Sequence, residues 1–159
     1  MANLIETVLI DPLYLSLQKE RFVTIATIDY ETGSPIVIAI SWVFAPDRDR
    51  IFFAIDQDSR IIENIKKHPA IVMNIIANES TYSINGFAHL IEESLENVQI
   101  KLSLIELTIS EVRDVMFYGS KISLEPKIEK TYDEFAAAKL DNQVLEAMKK
   151  RTSKNNECL

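Results

Sequence analysis

Six runs rich in β-branched and aromatic residues follow one another at short intervals: Phe22–Ile28, Ile36–Phe44, Ile51–Ile55, Ile71–Ile76, Ser83–Glu92 and Val98–Ser110. Residues of this kind pack well on a pleated surface, and turn formers separate the runs, so each reads as a strand. Glu31-Thr32-Gly33-Ser34-Pro35 joins the first two as a hairpin, and Pro46-Asp47-Arg48-Asp49-Arg50 turns the chain into the third. Strands spaced this closely predict a six-stranded antiparallel barrel with short helices closing its ends.

Helical signals are few. Asp11-Pro12 reads as an N-cap with proline in the first turn, opening a helix over Leu13–Glu20. Asp56-Gln57-Asp58-Ser59 opens a second over Arg60–Lys67, with Ile61, Ile62 and Ile65 as its apolar stripe and His68-Pro69 as its stop. From Asp133 to about Lys150 the Ala, Leu, Lys and Glu content favours a C-terminal helix. Residues 1–150 read as one domain, and 151–159 as a flexible polar tail.

Within Val98–Ser110, Val98, Ile100, Leu102 and Leu104 alternate with polar residues. The phase then flips to Ile105, Leu107 and Ile109. That flip predicts a bulge or bend between Leu104 and Ile105. Val115-Met116-Phe117-Tyr118 reads as a continuation of the sheet.

The 159 residues carry a formal charge of −7, which argues against a phosphate-backbone partner and so against nucleic acid. No apolar run reaches membrane-spanning length. The N-terminus meets Glu6 with no basic region before it, unlike a signal peptide, and the lone Cys158 has no intrachain partner. A cytoplasmic location is the expectation. His68 and His89 have no cysteine at zinc spacing, so no metal site is expected. His68 reads as a helix-end cap and His89 as a partly buried strand residue.

Catalytic templates mostly fail. With Gly33, Gly86 and Gly119 as the only glycines, neither a dinucleotide fingerprint nor a phosphate loop can be written. The strand-to-helix passage Asp56-Gln57-Asp58-Ser59-Arg60 is the one arrangement with chemical promise. Helix-start N–H groups, the Ser59 hydroxyl and the Arg60 guanidinium together suit a phosphate. The plainer reading is that Ser59 or Asp58 caps the helix and Arg60 is a surface charge.

The order of elements carries further information. The hairpin Phe22–Phe44, the strand Ile51–Ile55 leading to Ser59-Arg60, the break His68-Pro69 and the later Ile84-Asn85-Gly86-Phe87-Ala88-His89-Leu90 resemble the flavin-binding split-barrel family typified by pyridoxamine 5′-phosphate oxidase. The resemblance covers roughly Phe22 to Glu92. It implies a homodimer with FMN in clefts between the protomers. The ring would rest against Ala39, Ile40, Ser41 and Trp42 and against Ala54 and Ile55, and Ser59 and Arg60 would hold the phosphate end. It further implies flavin redox chemistry on a small molecule that the sequence does not specify, and names no acid or base.

Ile61 stands where family members commonly carry lysine, and Asp56 and Asp58 add negative charge beside the proposed anion position. Two readings follow: an FMN-binding oxidoreductase-like protein, or a flavin-free dimeric split-barrel binding module. Trp42 is open between core and cofactor wall.

Overall fold

The structure, a computed structural model, describes residues 5–157, with side chains through residue 152. Cys158 lies outside the described residues. The chain forms β1 (Ile5–Glu6), α1 (Asp11–Ser16), β2 (Val23–Ile28), β3 (Pro35–Ile40), β4 (Val43–Phe44), β5 (Arg50–Asp56), α2 (Arg60–Lys67), β6 (Ala70–Ala77), β7 (Ser80–Glu92), β8 (Leu102–Asp114) and α3 (Glu134–Glu157). The strands make one antiparallel sheet in the order β3-β2-β6-β7-β8-β5-β4, with β1 added on β8.

Connectivity dictates how this sheet curves. β3 and β4 end the strand path on opposite sides, yet only Ser41 and Trp42 separate them in sequence. In a flat sheet six strand spacings, about 29 Å, would lie between them. The link from Ile40 to Val43 reaches about 11 Å at full extension. The sheet therefore curls until its two ends meet, and Ser41–Trp42 is the seam. This is the split barrel the sequence predicts, with eight strands rather than six. One extra strand is β1. The other arises because the expected Ile36–Phe44 strand breaks at the seam into β3 and β4.

Alternation along the strands fills the barrel. Val23, Ile25, Met73, Ile75, Ile84, Ile105 and Leu107 are buried inside it together with Ile61, Ile62 and Ile65 of α2. Burying one such aliphatic side chain contributes roughly 1.5–3 kcal/mol. A second cluster lies outside the sheet, where Val144 and Met148 of α3 cover Phe52, Leu102 and Leu104.

That second cluster explains the phase flip along β8. A register shift does fall at Leu104 and Ile105: Leu90 pairs with Ile105 and Glu92 with Leu104, which leaves Ile91 of β7 as the extra residue. On its other side β8 keeps regular register with β5, Phe53 opposite Ile105 and Ala54 opposite Leu104. Both faces of the strand are buried there, Leu102 and Leu104 under α3 and Ile105 and Leu107 in the barrel. A second irregularity comes later, where Asn85 pairs with Glu111 and Gly86 with Ile109, leaving Ser110 as the extra residue. Val98 and Ile100 precede the strand. Val115–Tyr118 does not extend it either. β7 begins at Ser80, so after the Val115 N–H reaches the Thr81 carbonyl no further edge is offered. α1 is shorter than expected, and Asp11 lies inside it, its carboxylate paired with Arg48.

Candidate functional site

The seam creates the site. β3 pairs only with β2, and β4 reaches only Phe52 and Phe53 of β5. Beyond those two residues the edge of β5 keeps one bond across the gap, from the Ala54 N–H to the Trp42 carbonyl at 3.0 Å. Between the two edges lies a cleft of about 360 Å³, lined by Ile38, Ala39, Ile40, Ser41, Trp42, Ala54, Ile55, Asp56 and Ser59. Seven of the eight residues singled out from the sequence line it. The eighth, Arg60, does not.

Trp42, the chain's single tryptophan, is half-buried. It is both cleft wall and a neighbour of the α3-covered cluster, which joins the two readings left open for it. Its indole Nε1 donates to Asp141 Oδ1 at 2.8 Å, and Lys130 Nζ donates to the same carboxylate at 3.2 Å. Lys130 also donates to Glu20 Oε2 at 2.7 Å, and that oxygen accepts from the Ser41 hydroxyl at 2.9 Å. Burial alone would lower the Lys130 pKa, but the carboxylates of Glu20 and Asp141 together raise it above its ordinary value. Glu20, Lys130 and Asp141 thus fix both seam residues. None carried a sequence signal, because their partners lie far along the chain.

Most amides of the helix start are taken by its own groups. Ser59 is the N-cap of α2, its Oγ accepting the Ile61 N–H at 3.3 Å. The Gln57 N–H goes to the Lys101 carbonyl at 3.1 Å, the Asp58 N–H to Asp56 Oδ1 at 2.8 Å and the Ser59 N–H to the Asp56 carbonyl at 3.0 Å. Asn64, fully buried, ties α2 to the first hairpin through the Thr27 hydroxyl and the Tyr30 N–H.

Arg60 lines a neighbouring cavity of about 490 Å³ with Tyr30, Asp58, Glu63, Lys66 and Glu93. Its Nε and Nη2 reach the two oxygens of Asp29 at 2.5 and 3.0 Å, and its plane lies over the Tyr30 ring at 4.6 Å. Asp29 also accepts from the Thr32 amide and hydroxyl and the Glu31 amide. The Arg60 guanidinium first, then the Thr32 donors, hold the Asp29 carboxyl far below its ordinary value against the opposing push of burial. Ile61 is 2% exposed and belongs to the barrel core. His68 caps α2 through its N–H to the Asn64 carbonyl at 2.7 Å. His89, expected to be partly buried, is exposed. Among the described residues no group of three His, Cys, Asp or Glu side chains is placed to hold a metal, and no helix is long and apolar enough to cross a membrane.

An eight-stranded split barrel with a cleft at its seam defines the class. The sequence model of the pyridoxamine 5′-phosphate oxidase family matches residues 14–116, well over half of the chain, and the chain belongs to that family. α3 and the segment before it lie outside the matched residues. Among solved structures, a candidate pyridoxamine 5′-phosphate oxidase of Lactobacillus delbrueckii is 20% identical with a TM-score of 0.59, over 70% of this chain and 98% of that one. An F420 reductase is 16% identical with a TM-score of 0.53, over 62% and 93%. The General Stress Protein 26 of Bacillus anthracis is 15% identical with a TM-score of 0.52, over 65% and 91%. At these identities the likeness is one of fold. No curated protein matches the chain.

The fit of FMN to this cleft differs between its two ends. The walls from Ile38 to Trp42 and at Ala54–Ile55 are apolar and flank an indole, which suits a flat aromatic ring. The phosphate end fits poorly: among the described residues Asp56 is the one charged group lining the cleft, and the adjoining cavity, which shares Ser59 with it, holds Arg60 and Lys66 already beside Asp29 and Glu63.

Proposed function

We propose that this chain is a flavin-binding, oxidoreductase-like member of its family, holding the flavin ring in the seam cleft. The carrying observation is that residues from two separated stretches, Ile38–Trp42 and Ala54–Ser59, converge on one apolar cleft beside the single tryptophan. A bound flavin would supply hydride or electron transfer. The protein's part is to orient the ring and exclude water, with Ser41 and Trp42 held by the Glu20–Lys130–Asp141 network. The substrate is a small molecule.

The flavin-free binding module is the second reading, favoured by one observation: Arg60 is already neutralised by Asp29. Adding flavin to the purified protein while following Trp42 fluorescence and the visible spectrum separates the two. Saturable quenching with a perturbed flavin band supports the first reading, and no response leaves the second.

A homodimer is part of the proposal. The outward face of the first hairpin and its neighbours carries an apolar patch, with Val37 beside Ala26 and Val72 in a row that ends at Asn85, and Ala70 opposite Phe87. Val37 is 66% and Phe87 50% exposed. A second copy laid on this face would cover what one chain leaves open, as expected for a stable interface of above about 1,000 Å².

A further inference from the structure

We infer that the seam cleft selects the dephosphorylated flavin, riboflavin, over FMN; this rests on the flavin reading above. A site for a phosphate needs free N–H donors, free cations, or both. The loop that leads into α2 offers few of either. Its amides at Gln57, Asp58, Ser59, Ile61 and Ile62 are taken, by the Lys101 carbonyl, Asp56 and Ser59, which leaves the Arg60 N–H as the one amide of the turn to offer.

The nearby cations are engaged as well. Arg60 meets Asp29 through two nitrogens, and its Nη2 also lies 3.4 Å from Glu31. Releasing it toward a ligand would strip the charge partner from Asp29, whose side chain is 6% exposed. That exchange opposes binding rather than driving it. Lys66, on the neighbouring cavity, sits 3.5 Å from Glu63. Ile61 is in the core and presents no charge.

What the cleft offers instead is an exposed acid. Asp56 lines it and Asp58 follows two residues later, so a terminal phosphate would meet negative charge. Riboflavin has the same ring and polyol chain and no charge. Its hydroxyls can donate to carboxylate oxygens such as those of Asp56, which a phosphate dianion cannot do.

The test is a paired titration of the full-length protein with riboflavin and FMN at low ionic strength, read by Trp42 quenching and flavin fluorescence. The expected result is saturable riboflavin binding with FMN several-fold weaker. A site with two free phosphate cations would instead favour FMN by roughly a hundredfold or more. Asp56→Asn keeps the acceptor for the Asp58 N–H and removes the charge. It should tighten FMN several-fold and weaken riboflavin slightly, since its hydroxyls lose a charged acceptor, and added salt should narrow the gap between the ligands. FMN binding as tightly as riboflavin or more tightly overturns the inference while the flavin reading stands. No response to either flavin overturns both.

Discussion

The indole of Trp42 and the carboxylate of Asp141 meet at 2.8 Å across 99 residues of chain, linking a wall of the cleft to the C-terminal helix. Asp141 lies outside the stretch that matches the family, so a helix beyond the shared barrel sets the pose of a residue within it. Asp141→Ala should cost about 1–2 kcal/mol, since the indole N–H and Lys130 each lose a partner. It should also move tryptophan emission to longer wavelength as the ring loosens. Unchanged emission would mean that packing against the outer cluster alone holds the indole.

A glycine in β7 leaves no room for replacement. A Cβ on Gly86 would lie 2.0 Å from the Thr108 carbonyl oxygen and 2.9 Å from a Leu107 methyl. The obstacle is backbone of the paired strand, at the step where Ser110 bulges, so it cannot swing aside. Gly86→Ala should destabilise by about 3 kcal/mol, at the upper end of overpacking costs. Chemical denaturation measures it, and a loss under about 1 kcal/mol would show that the bulge yields.

Much of this barrel is legible in the sequence because its buried strands are runs of β-branched and aromatic residues set between turn formers. The runs at Ile51–Ile55 and Ile71–Ile76 lie within observed strands, and α2 spans the residues its capping pattern predicts. The cleft walls follow from where those runs end. The Arg60–Asp29 clamp is less visible, because an aspartate in a Thr- and Gly-containing turn looks like turn chemistry. Asp29 does serve that turn, through Thr32. The outer cluster is hidden for a different reason: Leu102 and Leu104 look like a change of phase until α3 is known to cover them.

Ile61→Lys asks whether position 61 can serve a ligand. Ile61 is 2% exposed and packs in the barrel core with Ile62 and Ile65. A lysine there forfeits about 1.5–3 kcal/mol of burial and adds a charge that must leave the core. The expected outcome is a lower melting temperature with no gain in flavin affinity. Tighter FMN at little stability cost would show that the side chain reaches the cleft by snorkelling.

If a second copy covers the outer face of β2, β3, β6 and β7, a charge at its centre should disperse the pair. Val37→Asp places a carboxylate in the row with Ala26 and Val72, on a residue that is 66% exposed in the single chain. The fold should tolerate it, while association weakens at least tenfold in sedimentation at micromolar concentration. A wild-type chain that sediments as a monomer would remove the dimer from the proposal.

Acid should act on the Asp29–Arg60 clamp in a definite direction. The folded Asp29 carboxyl lies far below its ordinary value near 3.8, with the Arg60 guanidinium as the leading cause. Between the folded and unfolded values the unfolded chain binds more protons, so stability rises with pH through that interval. The contribution is therefore complete above about pH 5 and is lost progressively as pH falls below about 4. Other carboxylates titrate in the same range, so Asp29→Asn serves as the reference. The asparagine keeps the side chain's shape but has no charge to offer Arg60 and nothing to titrate. The melting-temperature gap between wild type and Asp29→Asn should be constant from pH 8 to about 5 and shrink steadily toward pH 3. Moderate salt should narrow it only in part, because the Arg60 side chain is 45% exposed while that of Asp29 is 6% exposed. A gap that stays constant down to pH 3 would mean that the turn bonds to Thr32, rather than the charge pair, account for what Asp29 contributes.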